Sequence, residues 1–132
     1  MSSESFNVVE ISSGLHEETL WVSVGFSSDL EDQDVLHFVC ALEVDDQDRR
    51  LGHNAIYLER FDQAYSCYAG AEAVLISAGG IDLTLNAHGS ESLSLPQSVE
   101  FVVTANLNGW EDALAIFRRM QDLECGHVLR AA

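Results

Sequence analysis

Apolar and polar residues alternate along most of the first four-fifths of the chain, and this period of two constrains the fold more than any other feature. Successive side chains of a β-strand point to opposite faces of a sheet, so such alternation predicts strands with one buried face. The clearest case, residues 81–85, has one polar face, which is typical of an antiparallel sheet. We predict strands at residues 20–26, 36–42, 56–59, 73–76, 81–85 and 99–103.

Gly79 and Gly80 separate the apolar run 73–76 from the strand that starts at Ile81. Two residues that tolerate positive φ angles close a hairpin with the twist that its strands require. We therefore predict a β-hairpin at this position.

The hydrophobic period changes from two to between three and four after Asn106, which predicts one helix near the C-terminus. Asn108 and Glu111 have the spacing of a capping box, and Gly126 is a stop signal. The apolar residues of this helix are Trp110, Ala113, Leu114, Phe117 and Met120. The chain is thus expected to form a single α+β domain over residues 1–132, a mainly antiparallel sheet with one C-terminal α-helix packed on one face.

The charge balance limits the possible partners. There are 22 acidic residues against 6 arginines and no lysine, which gives a formal net charge of -16. Such a surface repels phosphate backbones and anionic lipids, so we expect neither nucleic acid nor membrane as a partner. A basic protein is the natural complement, and a plain solubility adaptation is the alternative.

Two acidic runs flank the predicted strand at residues 36–42, and we propose them as a partner-binding surface with neighbouring aromatic residues. Neither run has the glycine and glutamate positions of an EF-hand calcium loop, so no metal is expected there. Trp21, Tyr57, Tyr65 and Tyr68 are candidate anchors, although each is equally compatible with a core position. The predicted binding residues are Asp29, Glu31, Asp32, Asp34, Asp45, Asp46, Asp48, Tyr65 and Tyr68.

Cys67 lies between two tyrosines and is the candidate nucleophile of an enzyme, with His53, His88 or Asp62 as its base or orienting group. Free cysteine is commonly a small buried hydrophobe, and no Gly-x-Ser-x-Gly, phosphate-loop or His-Glu-x-x-His motif occurs. We therefore expect no catalytic residue, cofactor or metal ligand. The odd number of cysteines and the absence of a signal-peptide pattern favour reduced thiols and a cytoplasmic location.

The segment LGHNAIYLERFDQAYSCYAG at residues 51–70 resembles the central motif of a family of bacterial immunity proteins from polymorphic toxin systems, immunity family ten. The similarity lies in Tyr57-Leu58-Glu59, in Asp62-Gln63 and in the closing Tyr68-Ala69-Gly70. Ala69 stands where the family has the first glycine of Tyr-Gly-Gly, and Ala71 stands where a larger aliphatic residue is usual.

The resemblance implies a cytoplasmic protein that binds a toxin domain tightly and has no catalysis of its own. Combined with the acidic charge, it favours an immunity protein that neutralises a basic toxin, a nuclease, by occluding its active site or a nearby surface. Two alternatives remain open at this point. They are a small enzyme that uses Cys67 and an acidic inhibitor that mimics nucleic acid. The sequence does not indicate an oligomeric state.

Overall fold

The computed structural model describes residues 3–28 and 33–132, and in this part of the chain nine strands form one mixed sheet. The strands predicted from alternation correspond to β2, β3, β4, β6, β7 and β8, and the predicted hairpin joins β6 to β7. The order across the sheet is β5-β4-β3-β2-β1-β8-β7-β6-β9. The strands are β1 (Ser3–His16), β2 (Thr19–Phe26), β3 (Asp34–Ala41), β4 (Tyr57–Arg60), β5 (Ser66–Tyr68), β6 (Ala71–Ser77), β7 (Gly80–Leu85), β8 (Ser98–Val102) and β9 (Leu129–Ala131).

Strand β1 joins the two halves of the sheet and is the main departure from the expected antiparallel arrangement. Its first residues pair with β8 in parallel, and its remaining residues pair with β2 in antiparallel fashion. A register shift between Val8 and Glu10 occurs near the start of the antiparallel segment. This irregularity moves the inward positions from Val8 to Ile11, which breaks the period of two and hides the strand from pattern analysis. The pair β6–β9 is also parallel, so the sheet is mixed.

Three α-helices and one 3-10 helix occur in the described residues, where one helix was expected. They are α1 (Asp46–Arg50), α2 (Ala87–Leu93), α3 (Trp110–Gln121) and the 3-10 helix (Glu124–Gly126). No helix in this part of the chain is long and apolar enough to cross a bilayer.

Helix α3 confirms the predicted C-terminal helix, but the predicted capping box is wrong. The N-cap is Gly109, which has a φ angle of 93° and makes no side-chain cap bond. A Cβ atom at this position would lie 2.7 Å from the carbonyl oxygen of Ile11, so the helix start must be glycine to pack against β1. The helix ends at Gln121, and Gly126 belongs to the following 3-10 helix.

The hydrophobic core lies between the inward face of the sheet and the helices. Helix α3 contacts β1, β2 and β9, and α2 contacts β4, β5 and β7. Phe117 packs edge-on against Phe38 with ring centroids 5.5 Å apart. The indole of Trp110 is buried and donates a hydrogen bond to the carbonyl of Ala78. Burial of each large side chain here contributes about 1.5–3 kcal/mol.

A buried ion pair fastens α2 beneath β3 and β4. Asp34 is 0% exposed and Arg60 is 3% exposed. The Nη2 atom of Arg60 donates to Asp34 Oδ2 at 2.7 Å, and its Nη1 atom donates to the carbonyls of Leu93 and Ser94 at the end of α2. The carboxylate of Asp34 and the guanidinium of Arg60 neutralise each other. The pair therefore links two strands to a helix without leaving a buried charge unpaired.

Candidate protein-binding site

The outer face of strands β2–β5 is the candidate site. Along β2 and β3 fully buried inward side chains alternate with half-buried outward ones. The described helices α2 and α3 pack on the inward face through Leu93 and Phe117. The outward side chains therefore face away from the core and its helices.

One row of outward side chains is apolar and mostly aromatic. We call Trp21, Val39, Tyr57 and Tyr68 the aromatic row, because they are register partners on adjacent strands from β2 to β5. The rings of Tyr57 and Tyr68 are 4.9 Å apart. The ring of His53 stacks on Tyr68 at 4.3 Å and extends the row beyond the sheet.

Gly14 on β1 lies at the other end of the aromatic row. It pairs with Trp21, and a Cβ atom at position 14 would lie 3.2 Å from Cζ2 of the indole. The indole therefore leans over the glycine, and β1 supports one of its faces. This contact restricts the orientation of Trp21 on the open face.

A polar row runs beside the aromatic row. Ser23, His37 and Glu59 are register partners on β2, β3 and β4. The hydroxyl of Ser23 lies 2.6 Å from Nδ1 of His37. The hydroxyl of Tyr57 donates to Oε1 of Glu59 at 2.8 Å. Burial raises the pKa of the Tyr57 hydroxyl, and its hydrogen bond to Glu59 also raises it.

The residue types of the polar row are those of a hydrolytic triad, but the geometry differs from one. Ser23 contacts Nδ1 of His37, whereas in the triad the serine contacts the other ring nitrogen and the carboxylate contacts Nδ1. The backbone N–H groups of a central strand point along the sheet to neighbouring strands, so they do not form an oxyanion hole above its face. This row is better suited to recognition than to acyl transfer.

A cleft of about 510 Å³ lies over the aromatic row. Trp21 and Tyr57 form its apolar walls, and Val39 lies on the strand between them. The polar row lies at one end of the cleft, and Thr19 and His16 lie at the opposite end. A cleft with an apolar wall and a few polar groups is the usual form of a specific binding pocket.

Helix α1 carries the second acidic run to one end of the aromatic row. The side chain of Asp45 caps the helix by accepting a hydrogen bond from the backbone N–H of Asp48, and the side chain of Asp48 accepts one from the backbone N–H of Asp45. His53 joins the helix to the row, because its backbone N–H donates to the carbonyl of Asp48 at 2.8 Å and its ring stacks on Tyr68. Burial raises the pKa of the Tyr68 hydroxyl, and the nearby carboxylate of Asp48 raises it further. The exposed carboxylates of Asp45 and Asp46 lie at the start of the same helix.

The predicted binding residues fall into four groups. Asp48 is joined to Tyr68 through His53, and Asp45 and Asp46 lie at the start of the same helix. Tyr65 is 40% exposed, but it contacts Phe61 in the β4–β5 turn and lies outside the aromatic row. Three further predictions fall outside the described residues, namely Asp29, Glu31 and Asp32.

The prediction for Asp34 requires a correction. Its side chain is fully buried and paired with Arg60, so it offers no carboxylate to a partner on this surface. The polarity of the run around Asp34 suggested a solvated loop, but the residue begins β3 and its partner lies 26 positions away in the chain. A contact between residues this far apart leaves no local trace in the sequence.

Sequence reasoning identified Trp21 and Tyr57 as candidate anchors but overlooked the polar row. Ser23, His37 and Glu59 occupy outward positions of three alternating strands, and such positions were expected to face solvent. Large aromatic or ionisable residues at the outward positions of adjacent strands were the feature of the sequence that could have indicated this site.

The cysteines lie in the core. Cys40, Cys67 and Cys125 are all free and buried. Burial raises the pKa of Cys40 to about 12 and also raises that of Cys67. A reactive thiol needs a lowered pKa, so the environment of Cys67 opposes a role as nucleophile. Among the described residues, no group of three or more histidine, cysteine or acidic side chains is placed to hold a metal ion.

Comparisons with known proteins identify the family. Neither the curated proteins nor the solved structures contain a match. The family described as Immunity protein 10 matches residues 7–111, a range that includes β2–β5 and the motif that suggested this family. Because the match covers more than half of the sequence, the chain belongs to the Immunity protein 10 family.

Proposed function

We propose that this immunity protein neutralises a cognate basic toxin domain, a nuclease, by docking the outer face of β2–β5 over the toxin's active site or a surface beside it. Membership of the family supports an immunity function in general. The kind of toxin, the docking face and the mode of inhibition are our proposal.

The observation that carries the proposal is the aromatic row on an uncovered sheet face. Tyrosine and tryptophan are the residues most enriched in the energetic centres of protein interfaces. Here Trp21, Tyr57 and Tyr68 lie on adjacent or next-adjacent strands, with Glu59 beside them. Such a face can supply a buried interface centre with a polar border.

Charge supports a basic partner. The formal net charge of -16 favours encounter with a positively charged surface. A nuclease presents such a surface because it binds phosphate, and an acidic inhibitor uses the same attraction. Occlusion requires no chemistry from the inhibitor, which agrees with a sheet face that offers recognition groups and a buried, unreactive Cys67.

Co-expression tests the function directly. Candidate basic toxin domains, first of all any encoded beside the gene of this chain, are expressed in cells with and without the chain, and survival is scored together with co-purification. We expect survival and a stable complex, as well as loss of toxin nuclease activity in vitro. Cell death despite soluble co-expression contradicts the immunity role for that pair, and a toxin without nuclease activity contradicts the assigned class.

A further inference from the structure

We propose that the cleft over the aromatic row, which has the polar row at one end, binds the guanidinium group of one arginine of the toxin, with Glu59 as its counter-ion. The inference rests on the proposed function for the identity of the protein that carries the arginine.

The spacing of the two rings fits a flat cation. Trp21 and Tyr57 are separated by one strand, β3, whose residue Val39 is the register partner of both. Adjacent strands lie about 4.8 Å apart, so the two aromatic residues are rooted roughly 10 Å apart with an apolar floor between them. The indole of Trp21 leans away from Val39 toward Gly14, so a planar group inserted over Val39 can stack on Tyr57 and contact the near side of the indole. Tryptophan is the best side chain for this cation–π contact, and tyrosine also makes it.

Glu59 supplies the opposite charge. It is half-buried at the edge of the cleft, and its Oε1 atom accepts the hydroxyl proton of Tyr57. None of the ion pairs among the described residues includes Glu59. A carboxylate that is partly desolvated beside aromatic rings is stabilised by an incoming cation more than a fully exposed carboxylate is.

The arginine on strands β2–β5 is not available to the cleft. This residue, Arg60, points into the core and is bound to Asp34. Arg49 of α1 is held by Asp46 and Glu124. With these two arginines engaged elsewhere, we expect the arginine that pairs with Glu59 to come from a partner, which is the charge relation expected for a basic toxin.

Arginine fits the cleft better than the other candidates do. Its guanidinium is flat, stacks on aromatic rings and forms forked hydrogen bonds with a carboxylate. Lysine offers a compact and strongly hydrated charge that gains less from two ring faces. An apolar side chain would bury Glu59 and His37 without new hydrogen bonds, which is unfavourable.

The test uses the whole chain and small probes, and it does not require the toxin. We titrate N-acetyl-arginine amide, with N-acetyl-citrulline amide and N-acetyl-lysine amide as matched probes, and follow ¹H–¹⁵N NMR signals. The two indole N–H signals provide an internal control, because Trp21 lines the cleft and Trp110 is buried against Ala78. We expect saturable shifts at Trp21, Val39 and Glu59 with no shift at Trp110. The arginine probe should bind at least about tenfold more tightly than the citrulline probe and about threefold more tightly than the lysine probe.

Two matched variants test the role of Glu59. Glu59→Gln should weaken the arginine probe about tenfold. Glu100→Gln removes the same charge from an outward position of β8, and Glu100 also accepts one hydroxyl hydrogen bond, from Ser5. It should leave the affinity unchanged within twofold. Unsaturable or scattered shifts, equal binding of citrulline or lysine, or equal losses in the two variants would each overturn the inference.

The outcomes separate this inference from the proposed function. A chain that protects cells from the toxin but shows no specific arginine response at the cleft contradicts the arginine assignment alone. A chain that binds the arginine probe at the cleft but neither protects cells nor co-purifies with the toxin contradicts the proposed function alone.

Discussion

The two halves of the sheet have similar inward faces but very different outward faces. Strands β2–β5 present the aromatic row and the cleft. Strands β1, β8 and β7 present Ser5, Glu100 and Asp82 in register, and these side chains are exposed. The hydroxyl of Ser5 donates to Glu100, and Asp82 lies directly opposite Glu100. One half has the polar outer face that a water-exposed sheet needs, and the other does not.

This difference separates the outward residues that a stable sheet needs from those that it does not need. An antiparallel sheet with one buried face is stable with polar residues on the other, as β7 and β8 demonstrate. The fold itself does not require tryptophan and tyrosine on a solvent-facing side of the sheet. The aromatic row is therefore better explained by contact with another molecule.

The largest effect should come from the buried layer beneath the aromatic row, and it tests how much the Asp34–Arg60 ion pair stabilises the fold. Arg60→Leu leaves Asp34 buried without its counter-ion, although the Ser28 hydroxyl and the Val35 backbone still donate to it, so we expect a loss of about 3–5 kcal/mol in the free energy of unfolding. Urea denaturation followed by circular dichroism measures it. The double variant Arg60→Leu with Asp34→Leu should recover most of the loss because no lone charge remains. Arg50→Leu, an exposed control, should change stability by less than about 0.5 kcal/mol. A small effect of Arg60→Leu alone would show that the pair does not anchor α2.

Removing one aromatic side chain should have the next largest effect. Trp21→Ala or Tyr57→Ala should weaken toxin binding by about 2 kcal/mol, which is roughly thirtyfold, because such residues commonly dominate interfaces. Leu75→Ala is the control from the other half, since Leu75 is 49% exposed and pairs with Asp82. It should change the affinity less than about threefold. Calorimetric titration with the toxin domain measures affinity, and melting curves confirm that each variant is folded. Equal losses in both halves would remove the distinction between the faces.

Charge variants in the two halves should differ less in their rate of association with the toxin than the aromatic variants differ in affinity. The pair Asp45→Asn with Asp46→Asn removes two charges beside the aromatic row, and asparagine preserves the cap of α1. We expect a roughly fivefold slower association with the toxin at low salt, against less than twofold for Asp82→Asn with Glu100→Gln. The difference should vanish near 0.5 M salt, where the screening length is only about 4 Å. Stopped-flow mixing at two salt concentrations measures it, and a salt-independent difference would point to local contacts instead.

The smallest effect should be on stability, and it concerns strands β1, β8 and β7, whose outward side chains are polar. Asp82→Asn removes the repulsion between two carboxylates that face each other across β7 and β8, so it should stabilise the protein by about 0.2–0.5 kcal/mol. Glu72→Gln removes a charge from an exposed position of β6 and should change the stability little. Chemical denaturation with closely spaced points resolves the two. Destabilisation by Asp82→Asn would mean that the acidic pair has a structural partner.

The parts of the fold that follow a local period were predictable from the sequence. Strands β2, β3 and β7 alternate cleanly, and α3 repeats at helical spacing. Strands β5 and β9 are three residues long, which is too short for a periodic signal. Helix α2 contains glycine and serine, which are weak helix formers, so its sequence gave little indication of a helix.

Helix α2 forms because of contacts that the sequence does not display. The side chain of Asn86 caps it by accepting from the backbone of Gly89. Gly70 and Gly89 meet so closely that a Cβ atom on Gly70 would lie 2.8 Å from the Cα atom of Gly89. Gly70 closes the segment that resembles the family motif, and this close backbone approach is a physical reason for a residue without a side chain at that position.

The candidate site was only partly predictable for a related reason. Residue type alone singled out Trp21, Tyr57 and the acidic run of α1. Their assembly depends on strand register, which places Ser23 beside His37 and His37 beside Glu59. Register is a property of strand pairing across the sheet, and local patterns do not specify it.

Glu59 and Arg60 are neighbours in the chain, yet one lies on the outward face and the other is locked in the interior. The same division applies along β2 and β3, where every second residue is sealed in the core. The outward, odd-numbered positions of these two strands can therefore change while the buried, even-numbered positions keep the core intact. Under the proposed function, a change of toxin would require substitutions at outward positions only, and the fold would stay the same.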